Sequence, residues 1–257
     1  MNTHLECIPC FIRQTLDAAR MATDDPALHE EMLRGVLRTA SEMDLAETPP
    51  VVGQKIHRRL RELTGNADPY AAVKTRFNLM ALAMLPELRA RIAAAEDPFA
   101  AAVRLAITGN IIDFGPKGNV TEADARDAIA RALSEPLHGD MEAFRAAVEA
   151  ASDILYLADN AGEIVFDRAL IERLLPKHIV VAVRGGPVIN DATAEDAEAT
   201  GLAGLVEIVS NGSDVPGTAF PECSPAFRER FRAADLVISK GQGNFEGLQG
   251  SDYCGYF

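Results

Sequence analysis

Residues 153–175, DILYLADNAGEIVFDRALIERLL, decide the fold. An apolar run from Ile154 to Ala158 stops at two adjacent oxygen-bearing side chains, Asp159 and Asn160. Gly162 follows, and apolar residues then recur at spacings of three and four through Leu174. That pattern spells strand, tight turn, helix. Working outward toward the C-terminus, the same unit repeats. HIVVAVRG (178–185) precedes ATAEDAEATG (192–201), LVEIVSNG (205–212) precedes SPAFRERFRAA (224–234), and DLVISKG (235–241) closes the series. Strands alternating with helices imply right-handed crossovers and a mostly parallel sheet covered on both faces. The expected architecture is a three-layer α/β/α sandwich with a Rossmann-like sheet.

Toward the N-terminus the period changes. PALHEEMLRGVLRTASEM (26–43), VGQKIHRRLRELTG (52–65), PYAAVKTRFNLMALAMLPELRARIAAA (69–95) and PFAAAVRLAITGNII (98–112) are helical in spacing, with Asp-Pro or Gly between them. NVTEADARDAIARAL (119–133) has Thr121 placed to cap a helix, and MEAFRAAVEAAS (141–152) supplies another. An all-helical region, 1–110, therefore precedes the α/β part, 111–257, across a soft boundary.

Bulk properties narrow the function. The 257 residues, 48% hydrophobic and 25% charged, suit a soluble globular protein with a sizeable core. A net charge of −13 repels phosphate backbones and anionic lipid, so neither nucleic acid nor membrane is an expected partner. A small phosphorylated metabolite is not excluded, because a few local cations override the average field. No run approaches the ~20 apolar residues of a membrane span, and no secretory segment opens the chain, so the expected location is cytoplasmic with reduced cysteines. Oligomeric state is not legible.

In an open parallel sheet, ligands sit beyond the carboxyl ends of the strands. There the chain places Asp159, Asn160, Gly162 and Glu163, then Asn190 and Asp191, then Ser213 and Asp214, and finally Lys240, Gly241, Asn244 and Glu246. Carboxylate and carboxamide oxygens are hard donors suited to Mg²⁺ or Mn²⁺. Asp159, Asn160 and Asp191 together could hold such an ion by one face. A helix N-terminus at Gly162 and a nearby lysine would favour a phosphate ester beside it. Each feature alone has an ordinary explanation: Asp-Asn-x-Gly is common turn chemistry, Asp191 could cap the helix after it, and Lys240 could be a solvated charge. Their coincidence on one rim points to a site.

These segments also carry a resemblance. LADNAGEIVFDRALIE (157–172), RGGPVINDATAEDA (184–197) and ISKGQGNFEGL (238–248) resemble the metal-dependent damage-control phosphatases, an ARMT-like family long called domain of unknown function eighty-nine, in their short prokaryotic form. LECIPCFIRQ (5–14), DPYAAVKTRFN (68–78) and AITGNIIDFG (106–115) look like the same family in matching order. The resemblance implies a phosphatase acting on sugar phosphates or damaged phosphometabolites. It implies a divalent cofactor (Mn²⁺, Mg²⁺, Co²⁺ or Ni²⁺) held by Asp159, Asn160 and Asp191. It places Lys240 on the substrate phosphate with Asn244 in support, and puts Asn110 and Asp113 in a further matched motif. N–H groups near Gly162 and Gly241 would hold phosphoryl oxygens, and Glu163 is a candidate base or orienter. Family members continue into another apolar strand where this chain reads LQGSDYCGYF, so a bare sheet edge or a shortened core is expected.

Two rival functions stand beside the phosphatase: S-adenosylmethionine-dependent carboxyl methyl transfer, and non-enzymatic binding of phosphometabolites. A dinucleotide fold would need Gly-x-Gly-x-x-Gly after the first strand, where ADNAGEIVFD has one glycine. Cys7-x-x-Cys10 lacks partners for structural zinc and reads as packing. His57 falls on a basic helix face and is expected in solvent. Tyr70, Lys74, Arg76 and Asn78 are expected to make structural contacts.

Overall fold

The computed structural model describes residues 2–111 and 121–249; Asp113, Cys254 and the stretch expected to hold a further strand lie outside them. Among the described residues, seven helices come first: α1 (Cys7–Ala22), α2 (Pro26–Glu42), α3 (Pro49–Thr64), α4 (Ala71–Ala94), α5 (Pro98–Ile111), α6 (Glu122–Ala132) and α7 (Met141–Ala150). Their starts are chemically marked. Asp25 and Asp140 cap α2 and α7, and Thr121 forms a reciprocal capping box with Asp124, as its position in the sequence implied.

Strands and helices then alternate: β1 (Asp153–Leu157), α8 (Glu163–Leu174), β2 (His178–Val183), α9 (Ala194–Ala199), β3 (Glu207–Ser210), α10 (Pro225–Ala233), β4 (Leu236–Ser239) and α11 (Gln242–Leu248). These strands pair in parallel, in the order β3-β2-β1-β4. The fold is the expected α/β/α sandwich. Strand side chains alternate between two cores, which explains the near-continuous apolar runs. Ile154, Tyr156, Val181 and Ile238 face α4, α5 and α8, meeting Phe77, Leu88, Leu105 and Phe166. Leu155, Leu157, Val180 and Val237 face Phe227, Phe231 and Leu248 of α10 and α11. Each large apolar side chain so buried contributes about 1.5–3 kcal/mol.

The layer over the first face takes helices from both halves of the chain, since α4 and α5 share one core with β1 and α8. Helices α1 to α3 pack separately, around Ala18, Leu60 and Tyr70 and around Phe11, Val52 and Ile56. They are tied to the sandwich by Asp214, which accepts from Gln54, Arg58 and Arg61 at 2.6, 2.6 and 2.5 Å. His57 is not on a solvated face. It is buried edge-on against Tyr70, and burial, then the Arg61 charge, push its pKa down to about 4. No helix among the described residues is long and apolar enough to cross a membrane.

Strands β1 and β4 are neighbours in the sheet but not in sequence. The chain leaves their carboxyl ends toward opposite faces, and such a point opens a crevice.

Candidate active site

The loops after β1 and β2 are stitched together by backbone. Asn160 and Asp191 form an isolated antiparallel bridge, Ala161 N–H donates to Asn190 O, and Ala192 N–H donates to Asp159 O, both at 2.8 Å. Ile189 takes a left-handed φ of 45°, a conformation that a β-branched residue rarely holds. The turn delivers Asn190 and Asp191 to the same cleft as Asp159 and Asn160. Asp191 is free to do so because Thr193, not Asp191, caps α9; the Thr193 N–H and hydroxyl both donate to Asp196.

The cleft, about 550 Å³, is bordered by Asn110, Asp159, Asn160, Asn190 and Asp191 on the sandwich side. Cys7, Cys10, Phe11 and Gln14 of α1 and Pro50 and Gly53 of α3 form the opposite wall. The two cysteines, which the sequence suggests are packing residues, therefore face the cleft.

Around Asp159 the polar groups form one connected set. Asp159 Oδ2 accepts from Asn160 Nδ2 at 2.7 Å and Asn110 Nδ2 at 3.1 Å. The same amides reach Glu163 Oε2 at 3.2 and 3.3 Å. Glu163 Oε1 accepts from Lys240 Nζ at 2.7 Å. Asp191 Oδ2 accepts from Arg184 Nε at 2.6 Å and Gly217 N–H at 2.9 Å. Arg184 also approaches Asp159 Oδ1 at 3.8 Å. Gly241 is required here, for its φ is +83° and a Cβ would overlap the Asp159 carboxylate.

Several expected site residues have internal partners. Lys240 is not presented to the cleft; its ammonium donates to Ala106 O, Glu163 and Asp167 at 2.9, 2.7 and 2.7 Å. An ammonium has three donors, so all are spent. The Gly162 N–H, expected to hold a phosphoryl oxygen, donates instead to Asn78 Oδ1 at 2.7 Å. Asn244 is buried, bridging Ala158 O and Lys240 O while accepting from Arg184, so it braces two strand ends. Lys74 and Asn78 clamp Asp196 at 2.9 and 2.8 Å, the structural contact expected of them.

Two participants do not stand out in the sequence. Arg184 follows β2 in the stretch VRGG, but nothing local says that an arginine will be buried. Asp167 leaves a signal: it lies four residues after Glu163, hence on the same face of α8. Both acids are fully buried.

The charges do not balance. Asp159, Glu163, Asp167 and Asp191 are four buried carboxylates, and Arg184 and Lys240 are the cations paired with them among the described residues. The carboxylates outnumber those cations by two. Burial, then Glu163 and Asp191, push the Asp159 carboxyl well above the usual range, more than Arg184 and Lys240 pull it back. A divalent cation would cancel that excess. No three His, Cys, Asp or Glu side chains form a metal-holding group among the described residues. The set at the cleft is two carboxylates and a carboxamide, all hard oxygen donors that fit such an ion.

The model of the damage-control phosphatase ARMT1-like domain matches residues 3–254. An uncharacterized protein of Methanocaldococcus jannaschii is 34% identical over 256 residues, 95% of this chain and 82% of that one. A damage-control phosphatase of Pyrococcus horikoshii is 33% identical over 253 residues, 96% of this chain and 86% of that one. The crystal structure of a DUF89 family protein from P. horikoshii superposes with a TM-score of 0.90 at 32% identity, covering 98% of this chain and 89% of that one. The chain belongs to the ARMT1-like damage-control phosphatase family.

Proposed function

We propose that this chain is a divalent-metal-dependent phosphatase that hydrolyses small phosphorylated metabolites, sugar phosphates or damaged phosphometabolites, in the cytoplasm. The observation that carries this is a cluster of four buried carboxylates with two cations paired to them among the described residues, two of those carboxylates, Asp159 and Asp191, bordering the cleft beyond β1 and β2. A relative named as a damage-control phosphatase supports the phosphatase part.

Asp159, Asn160 and Asp191 would hold the ion, one of Mn²⁺, Mg²⁺, Co²⁺ or Ni²⁺. When bound, it would supply a water of lowered pKa and offset charge on the phosphoryl oxygens. The chain's own residues do the rest. Asn110 and Asn160 fix the rotamer of Asp159 by donating to Oδ2. Arg184 fixes Asp191 by donating to its Oδ2. Glu163 receives the same two amides on its second oxygen, so it orients the set from behind. Lys240 contributes positive charge through Glu163, and touching a phosphoryl oxygen would require it to give up an internal bond. Burial of the cluster strengthens each of these interactions over its value in water.

Phosphate release from a sugar phosphate or p-nitrophenyl phosphate tests this across Mn²⁺, Mg²⁺, Co²⁺ and Ni²⁺, with and without chelator. Turnover is expected only with a divalent ion, and Asp191→Asn should lower it by about 10³-fold. The amide keeps an acceptor for Arg184, whereas alanine would strand a buried guanidinium at a cost of about 3–5 kcal/mol. Turnover that persists in chelator, or in the folded Asp191→Asn variant, would refute the proposal.

A further inference from the structure

Helix α8 buries two carboxylates on one face, and they share one ammonium. Lys240 Nζ stands 2.7 Å from Glu163 Oε1 and 2.7 Å from Asp167 Oδ1, its remaining donor taken by Ala106 O. Asp167 Oδ1 also accepts from the Tyr156 hydroxyl at 2.6 Å, so a strand side chain seats it from below. Its other oxygen, Oδ2, is buried without a hydrogen-bond partner among the described residues. Leaving a buried carboxylate oxygen unpaired costs more than an apolar residue at the same place would. Asp167 does not border the cleft. A charge kept at such cost, away from the ligand, needs a reason.

The connectivity supplies one. Tyr156 holds Asp167, Asp167 holds Lys240, and Lys240 holds Glu163. Glu163 in turn accepts from Asn110 and Asn160, the two amides on Asp159. Without Asp167 the ammonium would keep two acceptors and regain rotamer freedom, and Glu163 would lose its fixed counter-charge. Burial raises the Asp167 carboxyl to about 6 even with Lys240 pulling it down, which fits a group held in place against its own preference.

We infer that Asp167, seated by Tyr156, is a positioning residue of this site, fixing the Lys240 ammonium and through it the Glu163 carboxylate behind Asp159. The kinetic consequence rests on the phosphatase reading; the structural consequence rests on the geometry alone. Asp167→Asn keeps the shape and one acceptor but removes the charge. Tyr156→Phe keeps the charge and removes its seat.

Two readouts test it. With Mn²⁺ and p-nitrophenyl phosphate, Asp167→Asn should lower kcat by about 10- to 100-fold with KM within about threefold. Tyr156→Phe should lower kcat by about two- to tenfold. The second readout is the side-chain spectrum of ¹⁵N-labelled lysine. Lys74 and Lys240 are the buried lysines among the described residues and should give slowly exchanging ammonium signals. Asp167→Asn should shift or abolish the Lys240 signal and leave that of Lys74 in place. A folded Asp167→Asn variant with wild-type kcat would overturn the inference, and so would an unchanged Lys240 signal. If the wild type shows no metal-dependent turnover, the phosphatase reading fails and the spectrum alone decides the positioning claim. If Asp167→Asn does not fold, Tyr156→Phe takes its place in both measurements: a lowered kcat and a shifted Lys240 signal support the inference, and wild-type values for either overturn it.

Discussion

Asp159 and Asp214 are both aspartates at the rim of the sheet, one after β1 and the other after β3, and their carboxyls are driven in opposite directions. Burial acts to raise both. At Asp214 it is outweighed by hydrogen bonds from Arg58 and Gln54, the Arg58 charge and Arg61, and the pKa falls to about 2. At Asp159 burial is reinforced by Glu163 and Asp191, and the pKa rises well above the usual range. The difference is the count of cations. Asp214 has two guanidiniums for one carboxylate, whereas the Asp159 cluster has two cations for four among the described residues. The first arrangement holds helices α1 to α3 onto the sandwich. The second leaves carboxylates without a matching cation among the described residues, and that deficit is the ground on which a divalent ion is proposed there.

Charge-removing substitutions should therefore act in opposite senses at the two positions. Asp159→Asn is expected to have the larger effect. It should cost about 10³-fold in metal-dependent turnover. In metal-free protein it should nevertheless raise Tm, at about 2–4 °C per kcal/mol of relieved repulsion, read by thermal unfolding in chelator. A lower Tm there would mean that the cluster is balanced without an ion, and the contrast with Asp214 would collapse.

Asp214→Asn should do the reverse on a smaller scale. The ion pairs are partly solvated, so the loss is about 1–2 kcal/mol, with turnover little changed. The pH dependence follows from the sign of the shift. The folded pKa of about 2 lies below the ordinary 3.8, so this stabilisation is present above about pH 4 and is lost as pH falls toward 2. Acid titrations of wild type and variant should converge across that window. Parallel curves would show that Asp214 contributes nothing there.

The fold was legible because its signals are local. The strands β1 to β4, the helices between them and the Thr121 cap follow from period and punctuation within a dozen residues. The rim residues Asp159, Asn160, Glu163 and Asp191 were legible too, since strand ends in a parallel sheet converge by topology. What the residues face was not. Lys240 stands at a strand end as expected, yet Ala106, 134 positions away, and two acids of α8 draw it inward. The Gly162 N–H is claimed by Asn78, 84 positions away. Arg184 and His57 are polar residues whose burial depends on partners in distant segments. Short-range pattern places a side chain on a face; the choice of hydrogen-bond partner is made by tertiary packing.

The most direct test is calorimetric titration of chelator-treated protein with Mn²⁺ at neutral pH, comparing wild type with Asp159→Asn and Asp191→Asn. One ion should bind per wild-type chain, and binding should be lost or sharply weakened in both variants while Asp214→Asn binds as wild type does. Absence of binding to the wild type, or equal binding to all four proteins, would contradict a divalent cation seated on the buried carboxylates.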